Sequence, residues 1–298
     1  MFPSVPTVPD AQRATGSYPI RFEDLAQDGR VHFEPIVASI DAAIWRPMLG
    51  KDATSRALHA SGVRPIFTRL ALEVGPARLG VGATLTADGV YELAHEPDGQ
   101  GGAARMFLNM WTTIWAGPSR HTPERAMVGR LFAEHQLTRP HAPKGERRVT
   151  SLPGDQPMPR ATYVAPSPEA LLELAPGREW LEPALAEDAT TIRFGLSHTD
   201  MNQHVNSLVY PRLFVDAALR RFAALGASTE TLATRLTIAF RKPFFAGSAA
   251  RIDLRANTGS TPGELGAVGT FRSADAATGA ARPHVHVRLG FSPTPRAE

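Results

Sequence analysis

Three polar side chains occupy alternate positions in one short stretch of the chain: Asp200, Asn202 and His204. A carboxylate can act as a base or a nucleophile, an amide can orient a water molecule, and an imidazole can donate a proton. Alternate side chains of an extended strand point to the same side, so the spacing predicts that the three groups converge on one space. Aspartate and asparagine also shape turns and cap helices, and spacing alone leaves this structural role open.

A helix is predicted directly after these residues, because apolar side chains recur with helical spacing over Ser207–Leu225. Those side chains are Leu208, Val215, Leu219 and Phe222. Asn206 or Ser207 can cap the helix. The N–H groups at its start carry partial positive charge, so they suit an oxyanion that develops on a substrate.

Composition excludes several classes of protein. With 298 residues, 43% of them hydrophobic and 20% charged, the chain can build a sizeable core and is neither disordered nor fibrous. The net charge of +3 is too small to indicate nucleic-acid binding. The sequence has no cysteine, which excludes disulfides and cysteine-based metal sites.

Neither a signal peptide nor a long apolar run is found, so a cytoplasmic protein without membrane insertion is expected. Gly80-x-Gly82 and Gly99-x-Gly101 lack the helix that a dinucleotide or phosphate loop requires. No cofactor is therefore predicted. His284 and His286, two positions apart, could ligate a metal, but an exposed histidine face is the favoured interpretation and no metal is expected.

The sequence contains an internal repeat. The stretch Ile20–His32 matches Ile192–His204 at a constant offset of 172 residues, since 192 − 20 and 204 − 32 are equal. Thr68-Arg69-Leu70 matches Thr234-Arg235-Leu236 at an offset of 166. An apolar helical pattern follows the first match in each copy, formed in the first copy by Ile36, Ile40, Ile44 and Met48. Alternating strand patterns follow the helix. The repeat predicts an α+β fold of two units, each with a long helix against an antiparallel sheet.

The predicted units are residues 18–117 and 190–294, joined by a linker at 118–189. Thr122-Pro123-Glu124 and Ser167-Pro168-Glu169 each combine a helix cap with a first-turn proline, so two short helices are predicted in the linker. The linker is also rich in arginine. It could meet an acidic carrier protein or a phosphate-bearing acyl donor, although a solvated face is the more common use of such charges.

At the 172-residue offset, the first unit carries Asp28, Arg30 and His32 where the second carries Asp200, Asn202 and His204. An arginine in place of the asparagine would pair with Asp28 rather than position water. The first unit is therefore predicted to hold a degenerate secondary site.

The run Asp200–Asn206, followed by Tyr210, resembles the Asp-x-Asn-x-His-Val-Asn signature of hotdog-fold thioesterases, and among them the plant and bacterial acyl-ACP thioesterases. That resemblance implies a tandem hotdog fold and hydrolysis of acyl-ACP or acyl-CoA. It also implies catalytic roles for Asp200, Asn202 and His204, with the first unit shaping the acyl pocket.

The chain departs from the family pattern at three places. His198 stands where many hotdog signatures have an acid, residues 240–247 lack the acid that the plant enzymes have, and Ser207 replaces a common asparagine. Asp200 could be nucleophile or general base. A non-catalytic acyl-thioester-binding or carrier-docking protein and a hotdog 3-hydroxyacyl dehydratase are the alternatives. Both a monomer and a homodimer are compatible with two fused units.

Overall fold

The computed structural model describes residues 2–118, 124–154, 156–259, 261–275 and 282–294. The chain divides into two compact units, Met1–Pro166 and Ser167–Glu298. Each unit combines an antiparallel sheet with a long helix, so the predicted α+β fold of two units is confirmed. No helix within the described ranges is long and apolar enough to cross a membrane.

The first unit contains six strands. They are β1 (Arg13–Pro19), β2 (Arg64–Val74), β3 (Thr84–Pro97), β4 (Ala103–Ala116), β5 (Ala126–Thr138) and β6 (Ala161–Thr162). The sheet order is β1-β3-β4-β5-β2 with antiparallel neighbours, and β6 adds a short parallel pairing to β3. The three central strands β3, β4 and β5 are long hairpin partners and form the main surface of the sheet.

The long helix of the first unit packs on one face of this sheet. It begins as α1 (Phe33–Ile40) and continues as a π-helix over Asp41–Leu49; a separate helix, α2, follows at Ala53–Ala60. The apolar positions that predicted the helix are all buried: Ile36, Ile40, Ile44 and Met48. Ser39 Oγ lies 2.6 Å from Thr112 Oγ1 of β4, so a buried hydrogen bond joins helix and sheet.

The second unit repeats this plan. Its strands are β7 (Glu179–Trp180), β8 (Ala186–Glu187), β9 (Ile192–Arg193), β10 (Thr231–Phe240), β11 (Ala249–Thr258), β12 (Leu265–Ser273) and β13 (Val285–Pro293). The order is β11-β12-β13-β10, and β7, β8 and β9 all pair along the free edge of β11. Its long helix is α3 (Val209–Ala224).

Charged side chains tie α3 to the edge segment that carries β7 and β8. Arg220 donates to both carboxylate oxygens of Asp188, at 3.1 and 2.7 Å. Arg221 pairs with the buried Glu182, whose carboxylate also accepts the N–H of Ala256 in β11 at 2.8 Å. The helix is thereby fixed against the sheet edge.

A β-bulge occurs at the same place in both units. The pairing register shifts between Phe67 and Arg69 in β2, and between Ala233 and Arg235 in β10. The bulged residues are Thr68 and Thr234, which are 166 positions apart. This confirms the sequence repeat at that offset.

The interpretation of residues 118–189 as a linker is wrong, because they contain β5. That strand pairs with β4 on one side and β2 on the other, and most of its residues are buried. Its sequence mixes buried apolar residues with polar ones such as Arg130, Glu134 and Gln136, so neither a regular alternation nor a continuous apolar run identifies the strand. Ser167 does cap a short helix, the 3-10 helix Pro168–Leu172. The other predicted cap, at Thr122-Pro123, lies outside the described residues.

Candidate active site

Asp200, Asn202 and His204 lie on one tight turn rather than on an extended strand. The N–H of Asp200 donates to His204 O at 3.0 Å, and the N–H of Gln203 donates to Asp200 O at 2.9 Å. Gln203 has a φ of 62°. The prediction that strand alternation aligns the three side chains is therefore wrong, because a left-handed residue reverses the chain between Asn202 and His204.

The turn nevertheless keeps the three residues together and accessible. Asp200 Oδ1 accepts the main-chain N–H of Asn202 at 2.8 Å, which fixes the carboxylate on the turn. Asn202 and His204 are exposed, and Asp200 is half-buried. The ring of His204 meets that of Phe245 nearly edge-on, with centroids 5.2 Å apart. An acid, an amide and an imidazole are thus presented within five residues of chain.

Neighbouring segments hold this turn in place. The N–H of Val205 donates to Phe244 O at 2.9 Å, and the N–H of Asn206 donates to His198 O at 2.8 Å. Tyr210, in the first turn of α3, accepts the N–H of Phe244 through its hydroxyl at 3.4 Å. Sequence reasoning missed the role of Phe244, which lies about 40 residues from the turn, in the stretch 240–247 that was noted only for its missing acid.

Tyr210 stays protonated at neutral pH. Burial raises its pKa to about 12; the hydrogen bond from Phe244 opposes this rise, and the negative charge of Asp200 adds to it. The hydroxyl therefore serves as a structural acceptor rather than a base.

The helix starts later than predicted, at Val209 rather than at Ser207. Asn206 accounts for this difference: its Oδ1 accepts the N–H of Leu208 at 2.9 Å, and its main-chain oxygen accepts the N–H of Val209 at 3.0 Å. Pro211 has no N–H. Leu208, Val209 and Pro211 therefore have no free N–H for an oxyanion. This limits the predicted role of the helix start in stabilising an oxyanion.

His198 replaces an acid without losing the acceptor. Its Nδ1 accepts the N–H of Gly195 at 3.0 Å and closes a short 3-10 turn just before the motif. In the first unit, the carboxylate of Asp24 accepts the N–H of Arg21 at 2.8 Å in a turn of the same type. Both turns thus have a hydrogen-bond acceptor at this position, an imidazole nitrogen in His198 and a carboxylate oxygen in Asp24.

The hydrogen bonds of the first unit correct the register of the repeat. The N–H of Ala26 donates to Arg30 O, and the N–H of Gly29 donates to Ala26 O, which reproduces the Asp200 turn 174 residues earlier. The counterparts of Asp200, Asn202 and His204 are therefore Ala26, Asp28 and Arg30. The offset of 172 from the sequence match is wrong by two residues, and no carboxylate stands at the position of Asp200.

Arg30 does pair with Asp28, as predicted. Its side-chain Nε lies 2.6 Å from Asp28 Oδ2, and the Asp28 side chain is only 3% exposed. Burial alone would raise the pKa of Asp28, but the hydrogen bonds and charge of Arg30, together with the charge of Arg78, hold the pKa below its ordinary value. His32 lies apart from this pair, at the N-cap of α1, where its N–H donates to Asp24 O.

The Asp28–Arg30 pair should make the stability of the first unit depend on pH. A carboxyl whose pKa is lowered by folding stabilises the fold fully above its unfolded pKa of about 3.9. This contribution is lost as the pH falls through the lowered pKa. The difference in unfolding free energy between wild type and Asp28→Asn should therefore be constant above about pH 5 and shrink below about pH 4. Urea denaturation across this range measures it; a difference unchanged at pH 3 would contradict the pairing.

His284, just before β13, and His286, within it, do not form an exposed face, so that interpretation is wrong. His286 is buried, and the ring of His284 stacks on Phe244 with centroids 4.1 Å apart. Burial lowers the pKa of His284, an effect that its hydrogen bond to Pro243 opposes and the charge of Lys242 reinforces. Among the described residues, no group of three or more His, Asp or Glu side chains could hold a metal ion.

A long helix against an antiparallel sheet is the hotdog arrangement, and two such units in one chain define a double hotdog fold. No model of a protein family matches this chain, and no curated protein matches its sequence. Similarity is found with solved structures.

Three structures that are named as thioesterases each align over 95% of this chain. An oleoyl thioesterase from Lactobacillus plantarum has 12% identity, a TM-score of 0.60 and 97% of its own chain covered. An acyl-ACP thioesterase from Bacteroides thetaiotaomicron has 12% identity, a TM-score of 0.56 and 99% covered. A 12:0-ACP thioesterase from Umbellularia californica has 13% identity, a TM-score of 0.57 and 94% covered. At such low identity the likeness shows the fold.

Proposed function

We propose that this chain hydrolyses acyl thioesters, and that its substrates are fatty acyl groups carried on ACP or CoA. The observation that carries the proposal is the accessible turn of the second unit, which holds the Asp200 carboxylate by a main-chain hydrogen bond and carries an amide and an imidazole within the same five residues. The names of the three similar structures support the same reaction class. Together these favour the chemistry over a purely structural role for the turn.

The reaction adds water across the thioester bond and releases a carboxylic acid and a thiol. Asp200 either attacks the carbonyl carbon or takes a proton from the attacking water. The N–H of Asn202 occupies Oδ1, so the chemistry is assigned to Oδ2. The Asn202 amide orients the water or the carbonyl group, and His204 donates a proton to the carbonyl oxygen or to the departing sulfur.

The oxyanion of this reaction needs donors near the turn. Since Asn206 already accepts the N–H groups of Leu208 and Val209, the side chains of Asn202 and His204 are the proposed donors. The first unit lacks this set because Ala26 stands in place of Asp200 and the Asp28 carboxylate is bound by Arg30. It is proposed to be a degenerate site.

A panel of acyl-CoA and acyl-ACP substrates of different chain lengths tests the proposal. Thiol release monitored with a chromogenic disulfide should show turnover above the uncatalysed rate for at least one substrate. A rival function, binding of acyl thioesters without catalysis, is compatible with the missing acid at residues 240–247. Tight binding of an acyl-CoA without thiol release from any substrate would establish the rival and reject hydrolysis.

A further inference from the structure

Gln203 has an unusual backbone conformation for its residue type. Among the described residues with positive φ, it is the only one that is not glycine. Its φ of 62° lies in the left-handed region, where the Cβ atom crowds the following carbonyl oxygen. The corresponding position of the first unit is Gly29, with a φ of 80°. Glycine adopts this conformation without that clash.

The fold does not explain why a glutamine stands there. The hydrogen bond that defines the turn comes from the main-chain N–H of Gln203, which glycine would also supply. The residue is exposed, so its side chain adds little to the core. A strained residue that glycine could replace, next to proposed catalytic groups, indicates that the side chain has a functional role.

We propose that Gln203 is a specificity-determining residue whose carboxamide hydrogen-bonds to the amide next to the thioester sulfur of the substrate. This inference rests on the proposed function. Both CoA and carrier proteins present their acyl group on a phosphopantetheine arm, in which an amide lies two carbons from the sulfur. A glutamine carboxamide can donate to the carbonyl of that amide and accept from its N–H. Gln203 lies directly between Asn202 and His204 in the chain and belongs to the same hydrogen-bonded turn as the proposed catalytic groups.

Two thioesters of the same acyl group test the role of this amide. The N-acetylcysteamine thioester contains it, whereas the butanethiol thioester does not. Gln203→Gly should lower kcat/KM about fivefold with the first substrate, the usual effect of losing one neutral hydrogen bond, and leave it unchanged with the second. Its melting temperature should not fall, because glycine relieves the strain.

Gln203→Ala is the matched control, since it removes the carboxamide but keeps a Cβ in the left-handed conformation. It should show the same loss with the N-acetylcysteamine thioester, together with a lower melting temperature than Gln203→Gly. If kcat/KM of the Gln203 variants fell equally with both thioesters, or with neither, this inference would be overturned and the proposed function would still stand. If the wild type hydrolyses neither these thioesters nor any member of the CoA and ACP panel, the proposed function fails and this inference fails with it.

Discussion

Asp200→Asn should lower kcat by on the order of 100-fold or more, the usual contribution of a general base. Asparagine cannot accept a proton from water or attack the thioester, but its Oδ1 can still accept the N–H of Asn202. The turn should therefore keep its shape, and the melting temperature should stay close to that of the wild type. Thiol release at saturating substrate measures kcat. A variant with wild-type kcat would remove Asp200 from the mechanism.

Asp28→Asn is the matched control in the first unit. It makes the same chemical change, but it breaks a buried pair with Arg30, so it should cost on the order of 2 kcal/mol of stability at neutral pH. Its kcat should stay near the wild-type value under conditions where the protein is folded. The two variants thus separate activity from stability. If Asp28→Asn were the more damaging change to kcat, the chemistry would belong to the first unit.

Much of the fold can be predicted from local sequence. The helix of the first unit follows from the spacing of Ile36, Ile40, Ile44 and Met48, all of which are buried. The second helix is predicted less well: Phe222 is fully buried, whereas Leu208, Val215 and Leu219 are only partly so. The repeated Thr-Arg-Leu correctly identifies β2 and β10 as equivalent strands, because each has its β-bulge at the threonine of this tripeptide. These features depend on the spacing of residues that are close together in the chain, so a single sequence is enough to predict them.

The register of the motif repeat depends on hydrogen bonds that sequence identity does not encode. The shared Ile-Arg-Phe tripeptide aligns Asp28 with Asp200, yet the main-chain bonds align Ala26 with it. The glutamine at Gln203 also conceals the turn, since glycine is the usual signal for positive φ. The residue types of the candidate site can be read from the sequence, but the geometry of the turn that holds them cannot.

The second helix lies in close contact with its sheet, so Gly269→Ala should strongly destabilise the second unit. A Cβ at Gly269 in β12 would lie 2.2 Å from Asp253 O, 2.9 Å from Leu254 Cα and 2.9 Å from Phe214 Cε2. Two of these atoms are backbone, so strand or helix must move. Overpacking of this kind should cost about 3 kcal/mol or more, measured as a lower urea midpoint.

The same substitution should also reduce activity, because Phe214 belongs to α3 and that helix follows the turn proposed to be catalytic. Gly195→Ala is the control: it lies in the second unit just before the turn, its φ is −95°, and the nearest atom to an added Cβ is Ser197 Oγ at 3.9 Å. Alanine fits there, so both the urea midpoint and kcat should stay near wild type. If Gly269→Ala had the same urea midpoint as the wild type, α3 would not be in tight contact with β12. The turn would then be held in place by its own hydrogen bonds to Phe244 and His198.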